Sequence, residues 1–327
     1  EMRSRIVGAS VLLSMVIAMP IFSVPVQAAW QPSKPVEFVV PWAAGGGSDI
    51  IARTVAAIAG EEKLAPVPLV VVNKVGGGAM IGLTYVLGKK GDPHTLSFVA
   101  WTNLVYPIME KLPFRLTDLT PVARYLNDEQ LYYVQWNSPY KSIRDVVNAA
   151  KRTPGTIKVA GCVVGCEDYM TNLLFEDAAA IKTNYIPFRG GGDIMREILG
   201  GHVDVAILNP SEAVAQQEAK KIRPLAVASR KRLSGMPDVP TFKEEGYDVV
   251  YEAFFRGVSA APAIPPEVAA YYVELMHRVT QTPKWHTYIK ENMVTPAFLG
   301  GKEFGDYLLA QEEAAKRILT PLGMIKQ

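Results

Sequence analysis

Strand-like and helix-like segments alternate along most of this chain, with short connections between them. Val36–Pro41 is a short β-branched run, and Asp49–Ile58 follows it with apolar residues at helical spacing. Leu69–Val72 is a second apolar run that precedes another helical stretch, and Thr95–Ala100 has the character of a third strand. This alternation predicts an α/β fold with largely parallel sheets.

The alternation restarts at Leu131–Gln135, a predicted strand, which a serine-capped helix at Ser142–Ala150 follows. Strand character returns at Val249–Ser259, before two predicted C-terminal helices at 266–281 and 302–318. Two α/β units joined by more than one crossing fit this order. The predicted first domain comprises residues 29–128 and 249–327, and the predicted second domain comprises residues 129–248.

The first 28 residues have the organisation of an export signal. Arg3 and Arg5 form a basic start, the apolar run Ile6–Val26 follows, and Ala28 ends a small-residue cleavage site. A membrane anchor, the alternative, needs roughly 20 uninterrupted apolar residues, whereas prolines interrupt this run. We therefore expect the mature protein to begin at Ala29 and to be exported.

Charge and composition exclude several classes of function. The 327-residue chain carries 34 Lys and Arg residues against 32 Asp and Glu residues, and no basic run stands out. Nucleic acid is therefore not an expected partner. Two cysteines are too few for a disulfide scaffold. We expect an exported, core-forming protein without a cofactor.

Two similar glycine-rich turns lie between a predicted strand and a predicted helix. Pro41–Asp49 has the sequence PWAAGGGSD, and Pro187–Asp193 has the sequence PFRGGGD. Either the turns need the backbone freedom of glycine, or a ligand approaches the backbone closely. Free N–H groups at a helix start favour anions, so two such turns facing each other across a cleft predict a bound carboxylate. Asp49 and Asp193 are expected to be helix N-caps.

The sequence carries no recognisable nucleotide-binding or catalytic motif. Neither glycine turn matches the P-loop, and the dinucleotide fingerprint fits poorly. The four histidines do not occur in a zinc-protease pattern, and no G-x-S-x-G elbow is found. We therefore expect a protein that is not an enzyme. The alternatives are a ligand sensor that signals to a membrane protein, and a periplasmic enzyme that uses Cys162 and Cys166.

Six stretches, spread in order over nearly all of the mature chain, together resemble one family. They are VVPWAAGGGSDIIAR, VVVNKVGGGAMIG, GDPHTL, IPFRGGGDIMREILGGHVDVAI, IRPLAVASRKRLSGMPDVPTFKEEGYDV and RGVSAAPAIPPE. On these stretches the chain resembles the Bug family, the periplasmic substrate-binding proteins of tripartite tricarboxylate transporters. The resemblance implies two α/β domains of the type II periplasmic-binding-protein fold, which close around a ligand cleft in the manner of a Venus flytrap.

The resemblance also implies a ligand and partners. The ligand is a small organic acid, which two strand-to-helix turns grip by a carboxylate. The partners are the membrane subunits of a tripartite tricarboxylate-type transporter, and we expect the binding protein to be a periplasmic monomer. Arg189 occupies a position where many relatives have lysine, so the resemblance implies that a cation is kept there.

One loop departs from the family pattern. Cys162 and Cys166 stand where relatives often have small hydroxyl and glycine residues, and the two cysteines are either bridged or free buried thiols. Glu167 and Asp168 follow directly. If either of these faces the cleft, it repels a polyanionic ligand and favours an amino group.

Trp42 and Trp101 each follow a predicted strand, close to the glycine turns. Each is either a packing residue or part of the cleft wall, and in the cleft they favour an acid with an aromatic or otherwise apolar body. No metal ligands are expected. The predicted ligand-binding residues are Trp42, Ala44, Gly45, Gly46, Asp49, Gly78, Trp101, Asn103, Cys162, Gly165, Cys166, Asp168, Arg189, Gly190, Gly191, Asp193 and Asn209.

Overall fold

The computed structural model describes residues 30–250 and 254–326, and within these ranges it contains two β-sheets with helices packed around them. The predicted export signal, residues 1–28, lies outside the described residues. The strands are β1 (Val36–Val40), β2 (Leu69–Asn73), β3 (Thr95–Ala100), β4 (Thr120–Asn127), β5 (Leu131–Gln135), β6 (Lys158–Cys162), β7 (Asn184–Phe188), β8 (Val205–Leu208), β9 (Ile222–Val227), β10 (Phe255–Ala260) and β11 (Thr295–Gly300). The helices are α1 (Gly47–Glu61), α2 (Met80–Leu87), α3 (Trp101–Met109), α4 (Ile143–Arg152), α5 (Glu167–Ala179), α6 (Gly191–Gly200), α7 (Pro210–Glu218), α8 (Pro266–Thr280), α9 (Pro283–Glu291) and α10 (Gly301–Leu319).

The first sheet has six strands in the order β11-β4-β10-β3-β1-β2. β1 pairs in parallel with β2 and β3, whereas β10 lies antiparallel between β3 and β4. β1 to β4 therefore all run in one direction, and their carboxyl ends meet at one edge. We call this sheet and its helices the first lobe.

The second sheet has five strands in the order β7-β6-β8-β5-β9. β6 pairs in parallel with β7 and β8, whereas β5 lies antiparallel between β8 and β9. All strands of this sheet except β5 therefore run in one direction. We call this sheet and its helices the second lobe. The two sheets confirm the predicted α/β fold, and in each sheet four strands run in one direction.

In each sheet, the inserted antiparallel strand is the first one formed after the chain crosses from the other lobe. Residues 128–130 lead from β4 into β5, and residues 228–254 lead from β9 into β10. Asp128, Glu129 and Gln130 are buried, at 1%, 6% and 1% exposure, and we call them the crossing segment. The proposed domain boundaries, after residue 128 and before residue 249, fall at these two crossings.

In α1, burial follows the predicted apolar spacing with one exception. Ile51, Val55 and Ile58 of α1 are at most 3% exposed, whereas Ile50, which belongs to the same apolar series, is 43% exposed. The expected cap of α4 is also observed, because the Ser142 hydroxyl oxygen accepts from the N–H of the third helical residue at 3.3 Å. Among the described residues, no helix combines the length and the hydropathy that crossing a bilayer needs.

Elements without a counterpart in the predicted series include β4, β11, α3 and α7. β4 and β11 each contain a proline, and β4 also carries an arginine, so alternation in them is weak. α3 contains Pro107 and three β-branched residues, which lower helix propensity. The predicted strand at Val249–Ser259 begins later than expected, at Phe255, and part of the difference lies in the undescribed residues 251–253.

Candidate functional site

The predicted ligand-binding residues all lie at six strand-to-helix turns. The first lobe contributes the turns after β1, β2 and β3, and the second lobe contributes those after β6, β7 and β8. In open α/β sheets, ligands bind in the crevice at the carboxyl ends of the strands. Contact of each residue with a ligand remains a prediction, and the structure shows what each residue does within the protein.

The carboxylate of Asp49 organises the turn between β1 and α1. Asp49 is 2% exposed and accepts hydrogen bonds from the Gly45 N–H at 2.9 Å, Asn73 Nδ2 at 2.8 Å and Arg53 Nε at 2.9 Å. The expectation that Asp49 is the N-cap was wrong, because Gly46 is the N-cap and Asp49 is the third residue of the helix. From there its carboxylate reaches back past the cap and fixes the turn.

The glycines of this turn supply both backbone geometry and open space. Gly45 has a φ of +80°, where a side chain is strained. Gly47 has no positive φ, and a Cβ added there meets no atom within 4 Å. The backbone from Ala43 to Gly46 is exposed. The Gly45 and Gly46 N–H groups donate within the turn, to Asp49 and to the Ala43 carbonyl oxygen, so an anion at this turn would bind to the helix start that follows them.

Asp49→Asn is expected to lower the free energy of unfolding by about 1–2 kcal/mol, because a neutral amide cannot accept from all three donors. Burial alone raises the pKa of Asp49, but hydrogen bonds from Arg53, Gly45 and Asn73 hold that pKa below its ordinary value of 3.8. The contribution is therefore present at neutral pH and lost as the pH falls below about 4. Urea unfolding at pH 7 measures it; a loss no larger than that of the exposed control Asp238→Asn contradicts it.

The turns after β2 and β3 pack against each other. Gly78 has a φ of +63°, and a Cβ added there would lie 2.8 Å from the ring of Tyr106 in α3. Asn103 is 0% exposed, and its Oδ1 accepts a hydrogen bond from the Ala100 N–H at 3.1 Å. Within the protein, these predicted site residues therefore shape the backbone at the two turns.

The two tryptophans near the turns differ in burial. Trp101 is 0% exposed and belongs to the core of the first lobe. Trp42 is partly exposed, and its ring meets that of Phe98 edge-on at a centroid distance of 6.2 Å. Trp42 is therefore the one with surface left for a ligand.

A disulfide between Cys162 and Cys166 closes the turn between β6 and α5, so the bridged alternative is the observed one. Asp168 Oδ2 accepts a hydrogen bond from the Cys162 N–H at 2.7 Å. A Cβ added at Gly165 would lie 2.7 Å from Sδ of Met109, which belongs to the first lobe. This turn is therefore held by its own bonds and packs against the opposite lobe.

The disulfide also decides what else this turn can bind. Cys162, Cys166 and Glu167 place ligand atoms within 4.8 Å of one another. A metal ion would need the thiolates, and the disulfide removes both. The same bond leaves neither sulfur available as a thiol nucleophile.

Replacing both Cys162 and Cys166 with serine is expected to lower the free energy of unfolding by about 2 kcal/mol. The bridge joins residues four positions apart, and such a short loop restricts the unfolded chain only moderately. Urea unfolding with and without a reductant measures the effect. The reductant should bring the wild-type protein to the stability of the double variant and leave that variant unchanged; equal sensitivity of both proteins contradicts the prediction.

The turn between β7 and α6 differs from its first-lobe counterpart. Gly190 is the N-cap and Asp193 is the third helical residue, so the expected capping role of Asp193 was wrong as well. The Arg189 side chain is 90% exposed, and its Nε donates to Asp193 Oδ2 at 3.1 Å. Arg189, with help from Arg196, holds the pKa of Asp193 below its ordinary value. The charge of Arg189 is thus balanced by a carboxylate of the helix that follows it.

A buried ion cluster that was not predicted from the sequence joins the two lobes. Arg256 lies in β10 with 12% of its side chain exposed. It donates from Nη2 to Asp128 Oδ2 at 3.1 Å and from Nη1 to Glu167 Oε1 at 3.3 Å. Glu167 also accepts from the Thr102 hydroxyl at 3.1 Å. Because Glu167 begins α5 of the second lobe, whereas Arg256 and Thr102 belong to the first, Glu167 spans the cleft.

Asn209, at the turn between β8 and α7, completes this Arg256 cluster. Its Nδ2 donates to the carbonyl oxygens of Asp128 at 2.7 Å and Glu129 at 3.1 Å, and its Oδ1 accepts from Arg256 at 3.4 Å. Burial raises the pKa of Asp128, although Arg256 opposes it. Burial likewise raises the pKa of Glu129 to about 7. The crossing segment therefore interacts directly with Arg256 and Asn209, which belong to the ion cluster between the lobes.

The comparisons with known proteins all identify receptors or solute-binding proteins of one kind. A family model described as "Tripartite tricarboxylate transporter family receptor" matches residues 51–324. Protein BugT of Bordetella pertussis is 28% identical over 263 residues, which cover 79% of each chain. A TctC solute binding protein from Polaromonas is 26% identical with a TM-score of 0.70, over 89% of this chain and 99% of that one. MatC from Rhodopseudomonas palustris, solved with bound malate, has a TM-score of 0.78 at 23% identity, over 88% and 99%.

Proposed function

Because this chain belongs to the family of tripartite tricarboxylate transporter receptors, we propose that it captures a small organic carboxylate in the cleft between its lobes. It delivers this ligand to the membrane subunits of a tripartite tricarboxylate-type transporter. The observation that supports the proposal best is the bridge formed by Glu167, which bonds across the cleft to Thr102 and Arg256. A cleft whose two walls can touch is what capture by closure requires.

We place the ligand carboxylate at the turn between β1 and α1. The turn leads into the helix N-terminus at Gly47, and Asp49 fixes the turn by accepting from the Gly45 N–H. A ligand bound there and to the second lobe favours the closed arrangement by its difference in affinity for the two states. The proposed role therefore needs binding and closure, and it needs no cofactor.

The proposed setting is the periplasm, where the protein acts as a monomer. An oxidising compartment suits the disulfide of the second lobe. We propose no catalytic role, because Cys162 and Cys166, the only cysteines in the sequence, are joined to each other.

The proposed ligand has a flat or apolar body. Support comes from Trp42, which keeps an exposed surface beside the turn. Trp42→Ala should therefore weaken binding of aromatic acids more than binding of aliphatic acids of similar charge. Equal weakening of both kinds of acid contradicts this part of the proposal.

A thermal-shift screen of the exported protein tests the proposed function. The screen covers mono-, di- and tricarboxylates, aromatic acids and amino acids. A ligand at about 100 times its Kd adds roughly 2.7 kcal/mol to the free energy of unfolding, which gives a clear rise in Tm. Stabilisation confined to one class of acid supports the proposal. If no acid raises the Tm of folded protein freed of bound ligand, the proposal is contradicted.

A further inference from the structure

Glu167 presents a carboxylate to the first lobe from the wall of the second. Its Oε2 accepts from the Thr102 hydroxyl at 3.1 Å, and its Oε1 accepts from Arg256 Nη1 at 3.3 Å. Thr102 is the second residue of α3, and the N-terminal end of a helix favours negative charge. We call these two donors the Thr102–Arg256 subsite. They bind a carboxylate, and in this structure that carboxylate is the protein's own side chain.

Asp128 fixes the guanidinium of the Thr102–Arg256 subsite. Asp128 Oδ2 accepts from Arg256 Nε at 3.2 Å and from Arg256 Nη2 at 3.1 Å. These two bonds engage one edge of the planar guanidinium and leave Nη1 to donate to Glu167. The orientation of Arg256 is therefore set by a residue of the crossing segment as well as by Glu167.

The turn before α5 holds the backbone of Glu167 in place. Cys166 is the N-cap of α5 and Glu167 is its first residue, so the disulfide to Cys162 closes directly before the carboxylate. Asp168 Oδ2 accepts from the Cys162 N–H at 2.7 Å, which ties the helix start back to the end of β6. A carboxylate carried on a backbone that is ordered in advance loses less entropy when it binds.

The bonds of Glu167 to the subsite depend on closure of the cleft, because the two sides belong to different lobes. Thr102 and Arg256 lie in α3 and β10 of the first lobe, whereas Glu167 lies in α5 of the second. Opening of the cleft separates Glu167 from the subsite and leaves its donors to another carboxylate. Closure brings Glu167 back and excludes that carboxylate from the same donors.

We propose that Glu167 supplies the second carboxylate of the closed cleft, and that the ligand therefore carries only one. This inference rests on the proposed function and narrows its ligand to a monocarboxylate. A ligand whose single carboxylate lies at the turn between β1 and α1 leaves the Thr102–Arg256 subsite to Glu167, so the lobes close over it. A second ligand carboxylate competes with Glu167 for these donors and meets Asp128 and Glu167 as like charges.

Matched pairs of acids test the inference by isothermal titration calorimetry at pH 7 on the exported protein. The pairs are butyrate and succinate, hexanoate and adipate, and benzoate and terephthalate; further pairs follow the same plan for any acid that the thermal-shift screen identifies. In the pair that fits the cleft, we expect the monocarboxylate to bind about tenfold or more tightly than the dicarboxylate. A dicarboxylate that binds as tightly or more tightly overturns the inference and leaves the proposed function standing. Failure of every acid to bind, in the screen and in these pairs, overturns both.

Two variants of Glu167 test its assignment. Glu167→Ala removes the competitor, so the dicarboxylate should gain affinity, and the preference for the monocarboxylate should fall about tenfold or more. Glu167→Gln keeps the size of the side chain without its charge and should shift the preference in the same direction, even if the alanine variant fails to fold. Asp177→Ala, an exposed acid near the end of the same helix, is the matched control and should leave the preference unchanged. A preference that is unchanged in the folded Glu167 variants overturns the assignment.

A second measurement needs no ligand. Small-angle X-ray scattering of the exported protein, freed of bound ligand, should give a larger radius of gyration for Glu167→Ala than for the wild-type protein, because the bonds across the cleft are lost. Thr102→Val removes the hydroxyl donor from the other lobe and should act in the same direction. The double variant should change the radius by less than the sum of the two single changes. Equal radii for the wild-type protein and Glu167→Ala overturn the role of Glu167 in closure.

Discussion

Arg256→Met is expected to lower the free energy of unfolding by about 3–5 kcal/mol, because it leaves two buried carboxylates without their guanidinium. Asp128 is 1% exposed, and the Glu167 side chain is 9% exposed. Methionine has a comparable apolar stem, so lost packing contributes little. Urea unfolding at pH 7 measures the change. The exposed Arg317→Met is the matched control and should cost less than about 0.5 kcal/mol.

A rescue experiment separates the charge effect from a general defect in folding. Adding Asp128→Asn and Glu167→Gln to Arg256→Met removes the unpaired carboxylates, and most of the lost stability should return. If the triple variant is no more stable than Arg256→Met alone, the ion cluster is not the cause. A loss below about 1 kcal/mol in Arg256→Met contradicts the prediction directly.

The free energy of unfolding is expected to fall as the pH rises from about 5 to 8, and Glu129 should account for about 3 kcal/mol of this fall. Burial raises the pKa of Glu129 from 4.5 to about 7. The folded protein therefore holds a proton that the unfolded chain releases above its ordinary pKa. Stability from this group is complete below pH 4.5 and is lost as the pH rises towards 7. Burial raises the pKa of Glu212 to about 7 as well, with the same sign.

Glu129→Gln isolates this contribution. Urea unfolding at pH 5, 6, 7 and 8 should show a shallower fall for the variant than for the wild-type protein. Burial lowers the pKa of His94, which acts in the opposite direction in both proteins and cancels in their difference. The exposed Glu303→Gln is the control. Parallel pH profiles for the wild-type protein and Glu129→Gln contradict the assignment.

The parts of the fold that local patterns encode were predictable. The runs at Thr95–Ala100 and Leu131–Gln135 became strands with the predicted bounds, because apolar β-branched and aromatic residues between turn signals leave few alternatives. β4 was not predicted, since it depends on pairing with strands more than a hundred residues further along the chain. Tertiary contacts of that kind leave little trace in a single local segment.

In the candidate site, too, local features were predictable and features built from distant segments were not. The glycine turns were visible because a turn is a local feature, and Asp49 was noticed because it stands beside one. Glu167 and Asn209 were noted separately, but their association with Arg256 and Asp128 was missed, since these four residues come from separate parts of the chain. Two signals were nevertheless present in the sequence: a lone arginine within an apolar strand-like run, and three successive polar residues at Asp128–Gln130 directly before the strand-like run Leu131–Gln135. Buried charges are rare enough to make such positions informative.

The strand order of the first sheet has a consequence for the order in which the lobes are completed. β4 lies between β10 and β11, so both of its hydrogen-bonding edges depend on residues from Phe255 onwards. Every strand of the second sheet, in contrast, has been synthesised once residue 227 emerges. A chain that leaves a ribosome or a translocation pore with its N-terminus first can therefore complete the second sheet before the first. Throughout that interval β4 has two unpaired edges, which makes the nascent first lobe the part most in need of protection from aggregation.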